Sequence, residues 1–200
     1  MTLLQKPIKL SWHAYLQGMF LFRFLLARLL CGSVFRSVGR GTRFYGWPTI
    51  GSVEANITLG RGVFLAKHVV FSASRGAWID IGDHCSINAG SHLVAVDSIQ
   101  IGEETRIAEY VSIRDQNHRF DDLDRPIREQ GYNASPISIG KRCWIGRGAF
   151  IGAGVTIGDG TIIGANAVVV SDLPANVVAA GVPARILRRL DDLKPVDNLA

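Results

Sequence analysis

The chain has 200 residues, 48% of them hydrophobic and 20% charged, with a formal net charge of +5. Such a length makes one domain, or one domain with a small appendage, and suffices to bury a core. Its three cysteines, an odd number without framework spacing, exclude a disulfide-stapled secreted scaffold and indicate reduced thiols in a cytoplasmic setting.

The basic surplus is wholly N-terminal. Lys6, Lys9, Arg23, Arg28, Arg36, Arg40 and Arg43 precede the first acidic residue, Glu54; of the 22 basic residues this leaves 15 against 17 acidic ones, a net of −2 for the remainder. Within the segment, Leu16 to Leu30 is an apolar run interrupted by Arg23 and Arg28. It is too short and too charged to span a bilayer, and no small-residue cleavage site follows it. Residues 1–45 are expected to be a basic apolar segment, helical, with two uses open. It could lie on an anionic membrane surface, or pack against the body or across a subunit contact, and Trp12, Phe20, Phe22 and Phe24 suit both. No nucleic-acid-binding motif accompanies the charge, so no such partner is expected.

From about Gly41 the chain is rich in Gly, Thr and aromatic residues, which reads as a lead-in. A repeat of six then starts at Leu59, Leu65 and Phe71, with Ile57, Val63 and Val69 two before each. It resumes at Ile81, Ile87 and Leu93, again at Ile101, Ile107 and Ile113, and runs through two full rungs from Ile139 to Val169. A period of six fits neither a helix nor a half-buried strand, whose periods are about 3.6 and 2. It fits a coil of very short strands that turns a corner every six residues, three sides to a rung. The aliphatic residue and the small one two before it point inward, and the next position must be small. Cys85 and Cys143 occupy the small inward slot, so packing rather than chemistry explains them.

Three interruptions follow a rule. The steps Phe71 to Ile81, Leu93 to Ile101 and Ile113 to Ile139 are 10, 8 and 26 residues, and each follows the third side of a rung. The insertions should therefore stack at one corner, the last as a substantial projecting loop over residues 114–136. Repeat proteins often place insertions on the binding face. The loop is polar and broken by Pro126 and Gly131, so taken alone it reads as solvated chain.

The motifs resolve the reading. Asn117-His118 opens the loop, Pro136-Ile137-Ser138-Ile139-Gly140 and Trp144-Ile145-Gly146 follow it, and Gly181 to Arg185 reads GVPAR. The combination resembles the hexapeptide-repeat acyltransferases, and within them the sugar and polysaccharide O-acetyltransferases such as the galactoside, maltose and O-antigen or colanic acid enzymes. The resemblance implies an all-β solenoid, a left-handed parallel β-helix over residues 46–182 with the loop projecting from it. An N-terminal helical segment would precede it, and a short closing helix and tail would follow over residues 183–200. The handedness comes from the resemblance alone, since the usual crossover rule favours the right hand.

It also implies the site. A sugar hydroxyl is a poor nucleophile at neutral pH, and an imidazole can take its proton as it attacks a thioester carbonyl. His118 is the expected general base, with Asn117 beside it and Asp115 a candidate to orient the ring. Asn88 either tolerates a positive φ at a bend or, by the family pattern, places an amide on the acceptor; Trp144 either packs on the prism wall or lies beside the acceptor pocket. Acetyl-CoA, the expected acyl donor, would run past Gly146, Arg147 and Ala165, with its phosphates at Arg185 and Arg188. Ser171 stands where related sequences often carry lysine, a phosphate contact for which Arg188 or Arg189 could substitute. The tetrahedral oxyanion would take a backbone N–H near Gly146.

A sugar or glycan acceptor, a homotrimer and a cytoplasmic location at the inner face of a bacterial membrane complete the expectation, and no metal is required. Antibiotic O-acetylation is the alternative within the fold, ahead of serine acetylation, for which the long acidic N-terminal helical domain is missing. A zinc carbonic anhydrase would need closely spaced histidines that His13, His68, His84, His92 and His118 do not provide. A non-catalytic assembly coil would tolerate loss of His118.

Overall fold

The computed structural model describes residues 5–29, 35–51 and 56–192, with side chains in the helix described from residue 14. One helix, α1 (Gln5–Leu29), precedes a coil of short strands. The coil has three parallel sheets, each drawing one strand from every rung. The first face holds Ser37–Val38, Asn56–Leu59, Trp78–Ile81, Ser98–Ile101, Ile137–Ile139 and Thr156–Ile157. The second holds Arg43–Phe44, Phe64–Leu65, Ser86–Ile87, Arg106–Ile107, Trp144–Ile145 and Ile162–Ile163, and the third Thr49–Ile50, Val70–Ala73, His92–Ala95, Ser112–Arg114, Phe150–Ile151 and Val168–Val169. The architecture is a left-handed parallel β-helix.

Register places each inward residue on its counterpart in the next rung. Ile107 pairs with Ile87 below and Ile145 above, and Ile113 with Leu93 and Ile151. All six are fully buried. A second inward column, two residues before the first, runs through Thr42, Cys85, Thr105, Cys143 and Thr161. There Thr105 Oγ1 donates to the Gly140 carbonyl (2.8 Å), Cys85 Sγ to that of Gly102 (3.1 Å) and Cys143 Sγ to that of Gly158 (3.3 Å). The thiols thus do what the threonine hydroxyls do, tying a corner to the rung above. Burial pushes the Cys85 thiol up to about 11 and raises that of Cys143, so both are poor nucleophiles at neutral pH. Cys31 lies outside the described residues.

The bends divide two duties that the six-residue pattern merges. At the corner between the first and second faces the slot after the inward aliphatic is glycine because the next rung's backbone lies against it: a Cβ on Gly82 would meet the Glu103 nitrogen at 2.6 Å, and one on Gly102 the Gly140 carbonyl carbon at 2.6 Å. The left-handed turn falls two residues later, at His84 (φ 58°), Glu104 (φ 61°) and Arg142 (φ 55°). Side chains are tolerated there because that position points away from the neighbouring rung's backbone, at a modest conformational cost.

All three insertions leave the prism at the corner between third and first faces, in the gaps Ala73 to Trp78, Ala95 to Ser98 and Arg114 to Ile137. Two features differ from expectation. The coil begins at Ser37 rather than after a lead-in, with Val38 paired to Leu59 and Phe44 to Leu65. The expected closing helix from Pro183 is instead a strand, Ala184–Arg189, antiparallel to Val177–Gly181. Gly181 (φ 102°) and the cis Val182–Pro183 peptide reverse the chain there. The reversal gives the exposed edge of Val177–Gly181 a partner for its N–H and C=O groups, which a helix would have left open.

Helix α1 covers the other end. Ala27 is fully buried and Phe24 packs on the core. The first rung has no rung beneath it, and arginines take its free carbonyls: Arg23 Nη1 donates to Phe44 O (3.1 Å) and Tyr45 O, and Arg28 Nη1 to Val38 O (3.1 Å). The packed reading of the helix therefore holds for one of its faces. The Trp12 side chain lies outside the described residues.

Two glycine substitutions separate these effects. Gly102→Ala forces a backbone clash and is expected to cost about 2 kcal/mol or more, whereas Gly18→Ala, in open space within α1, should stabilise by about 0.8 kcal/mol. Thermal denaturation of the two variants should shift the midpoint in opposite directions.

Candidate functional site

After Ser112–Arg114 the chain leaves the third face and returns as an antiparallel pair. Gln116–His118 runs against Tyr132–Ala134, in the register Gln116 with Ala134, Asn117 with Asn133 and His118 with Tyr132. The tip is tied by its own side chains rather than loose: Gln130 Nε2 donates to the carbonyls of Asp122 (2.7 Å) and Arg125 (2.8 Å), and Asp122 N donates to Gln130 Oε1 (3.1 Å). Arg119 pairs with Asp121 at 2.9 Å. Every residue from 117 to 129 is exposed, so the insertion is a hairpin held out in solvent.

His118 stands at the end of its strand with the imidazole against the Tyr132 ring, centroids 4.5 Å apart and planes at 45°. It has no hydrogen-bond partner among the described residues, so both ring nitrogens are open to a ligand. Asn117, across from Asn133, is exposed beside it. Tyr132 was not legible as a site residue, because its meeting with His118 depends on the register of a hairpin that the loop composition conceals.

Asp115 does not orient His118. Its carboxylate is fully buried and accepts the backbone N–H of Val96 (2.8 and 3.1 Å) and of Asp97 (2.8 Å). It thereby fastens the base of the hairpin to the smaller insertion one rung below. The reason is steric: the residue leaving the third face is covered by the corner, where the turn N–H groups of Val96 and Asp97 need an acceptor. Burial pushes its carboxyl above the ordinary aspartate range, outweighing the N–H groups that pull it down.

The other candidates gather on the second face and its corner with the third. Asn88, Ala108, Gly146 and Gly164 form one column along that corner, each N–H donating to the carbonyl of the next rung. Asn88 does not have a positive φ, so the turn reading fails; its Nδ2 donates to the Ile107 carbonyl at 3.0 Å, leaving Oδ1 as the free end of the amide. Trp144 is 55% exposed on the second face, in register between Arg106 and Ile162. It stands out from the wall rather than packing into it. Arg147 lies over the Tyr110 ring, 5.3 Å from the centroid, and Ala165 is exposed one rung on.

Gly146 itself cannot supply an oxyanion N–H, because that group donates to Ile163 O at 2.8 Å. The N–H groups of Arg147 and Ala165 have no hydrogen-bond partner among the described residues. Arg185 and Arg188 are exposed on the terminal strand, in register with Ala180 and Val178. They therefore continue the second face rather than a helix. Asn117 and His118 thus sit at one corner of the prism, and Asn88, Gly146, Arg147 and Ala165 at another, with the third face between. Among the described residues no three His, Cys, Asp or Glu side chains gather as a metal site.

The chain and its fold have counterparts among known proteins. The family model for the bacterial transferase hexapeptide (six repeats) matches residues 136–171. A probable acetyltransferase of Mycobacterium tuberculosis is 32% identical over 171 residues, 84% of this chain and 55% of that protein, so this chain spans about half of its length. A putative colanic acid biosynthesis acetyltransferase of Escherichia coli is 34% identical over 131 residues, covering 64% of this chain and 69% of that one. The solved structure of a galactoside acetyltransferase in complex with coenzyme A has a TM-score of 0.53 at 29% identity, over 79% of this chain and 66% of that one.

The role of Asp115 can be read from stability. Asp115→Asn replaces an acceptor pair with one oxygen and an NH₂ facing N–H donors, and should cost about 2 kcal/mol. The native carboxyl has a raised pKa, so its contribution is fully present below the ordinary aspartate value and lost as pH rises through the native one. Denaturant titrations across acid pH should show that dependence in the parent and not in the variant.

Proposed function

The chain belongs to the hexapeptide-repeat acyltransferase family, and we propose that it is an acetyl-CoA-dependent O-acetyltransferase acting on a sugar hydroxyl. The acceptor is a bacterial surface polysaccharide or its precursor, and the reaction takes place in the cytoplasm. The observation that carries this reading is the hairpin, which holds an exposed imidazole with no hydrogen-bond partner among the described residues against Tyr132.

The reaction is direct. His118 takes the proton of the acceptor hydroxyl as its oxygen attacks the thioester carbonyl. The tetrahedral oxyanion is met by a backbone N–H, for which Arg147 and Ala165 offer open donors where Gly146 does not. Collapse breaks the carbon–sulfur bond, and the departing thiolate takes the proton from the imidazolium, leaving ester and free CoA. No protein nucleophile is needed, consistent with both described cysteines being buried with raised pKa values.

Acetyl-CoA lies along the corner of Gly146, Arg147 and Ala165, with its phosphates toward Arg185 and Arg188. Arg188 or Arg189 replaces the basic residue missing at Ser171. Asn88, through its free Oδ1, and Trp144, through its exposed ring, hold the acceptor with Asn117. Because base and donor groove occupy different corners, the site is completed between adjacent copies, in a homotrimer with three sites.

Release of CoA from acetyl-CoA across a panel of sugars, polysaccharide repeat units and antibiotics tests this. A sugar-dependent signal that falls about 10²–10⁴-fold in His118→Ala is expected, with the KM for acetyl-CoA little changed. Arg185→Ala should instead raise that KM. Full turnover in His118→Ala would remove the mechanism.

A further inference from the structure

The end of the coil that carries α1 has features the transfer reaction does not use. No acidic residue occurs before Glu54, while seven cations do. Two of these, Arg23 and Arg28, are turned to carbonyls of the first rung, and Arg43 lies over the Phe64 ring at 5.8 Å. Arg36 and Arg40 are exposed and have no ion-pair partner among the described residues.

The same end leaves large apolar side chains in water. Leu21 (59% exposed), Phe22 (68%), Leu25 (56%) and Leu29 (80%) stand on α1. At the rotation of an α-helix they form one contiguous face about 100° wide. The opposite face carries Phe20, Phe24 and Ala27 onto the coil, so this one is not needed to hold the helix in place. A groove of ≈ 340 Å³ joins the two features, with Phe20, Leu21 and Phe24 on one side and Arg40 and Arg43 on the other. No described helix is long and apolar enough to cross a membrane.

We propose that this end of the molecule docks on an anionic membrane surface, with α1 lying in the plane of the interface. Leu21, Phe22, Leu25 and Leu29 enter the boundary between headgroups and acyl chains, while Arg36 and Arg40 meet lipid phosphates. Charge complementarity selects this occupant over a second copy of the chain, whose own matching end would bring cations against cations. The coil then rises from the surface on its first rung, with the hairpin of His118 about three rungs out, within reach of a glycan held near the headgroups.

Co-sedimentation of the full chain with vesicles of phosphatidylcholine alone, or mixed with phosphatidylglycerol, tests the proposal. Binding should require the anionic lipid and weaken as salt is raised. Arg36→Gln with Arg40→Gln should lower partitioning about five-fold per cation. Leu25→Gln with Leu29→Gln should lower it at least about ten-fold, with circular dichroism confirming the fold. CoA release on a soluble acceptor should stay unchanged in both double variants, so failure of the transfer reading and failure of docking are separable. Full recovery of the parent chain in the supernatant, or equal binding to neutral vesicles, would overturn the proposal. So would a change in molecular mass by light scattering in the leucine variant, which would assign the face to contact between copies.

Discussion

Everything in this molecule follows from how closely one rung lies on the next. Parallel ladders set the rungs about 4.8 Å apart, and at the corner between the first and second faces the backbone of one passes over the slot after the inward aliphatic of the other. There is room for a hydrogen at Gly82 or Gly102 and none for a methyl group. That approach forces the small slot, and the turn that accommodates it falls two residues later, where the side chains of His84, Glu104 and Arg142 face solvent. The outer surface consequently consists of columns. Asn88 and Gly146 share one, two rungs apart, because stacking leaves them nowhere else to be.

The same constraint creates a difficulty at each end. A stacked rung has its N–H and C=O groups satisfied by neighbours, whereas a terminal rung offers a free edge. The two ends are closed by different means. At the C-terminal end the chain reverses at Gly181 and supplies its own antiparallel partner. At the N-terminal end a helix lies across, and two guanidinium groups reach carbonyls that no strand covers. Arginines that sequence composition counts as surface charge are thereby partly consumed in closing the coil. Among the described residues at this end, Arg36 and Arg40 are the cations whose side chains are left exposed without a carbonyl, ring or ion-pair partner.

How far the sequence could be read depended on whether a residue's role was local to its rung. The inward aliphatics, the small slots and the corner of the insertions were legible because each repeats every six residues. The first rung was not: Val38, Phe44 and Ile50 stand six apart, but the positions two before them are Arg36, Thr42 and Pro48 in place of the mostly apolar residues that mark later rungs. The terminal strand was missed because the basic stretch after Pro183 has no alternation strong enough to oppose a helical reading; its edge partner decides it. Asp115 was misread for a related reason. Nearness to His118 in sequence suggested a partner, but three residues separate a covered corner from an exposed hairpin. Asn88 occupies the slot after Ile87 that the repeat gives it, without the positive φ expected of a bend.

The proposed chemistry adds a demand that one prism does not meet. A general base must come within about 3 Å of the hydroxyl that attacks the thioester. His118 leaves at the corner after the third face and the donor column runs along the corner before it. Between them lies a side of about four residues, some 13 Å at the rise of an extended strand. The hairpin stands out in solvent instead of folding back over that side. Under the proposed reaction the base therefore serves a donor groove on a neighbouring copy. On that proposal the length of the insertion serves the shared site, and the apolar side chains of Phe120, Leu123 and Ile127, 73%, 96% and 54% exposed, would face that neighbour.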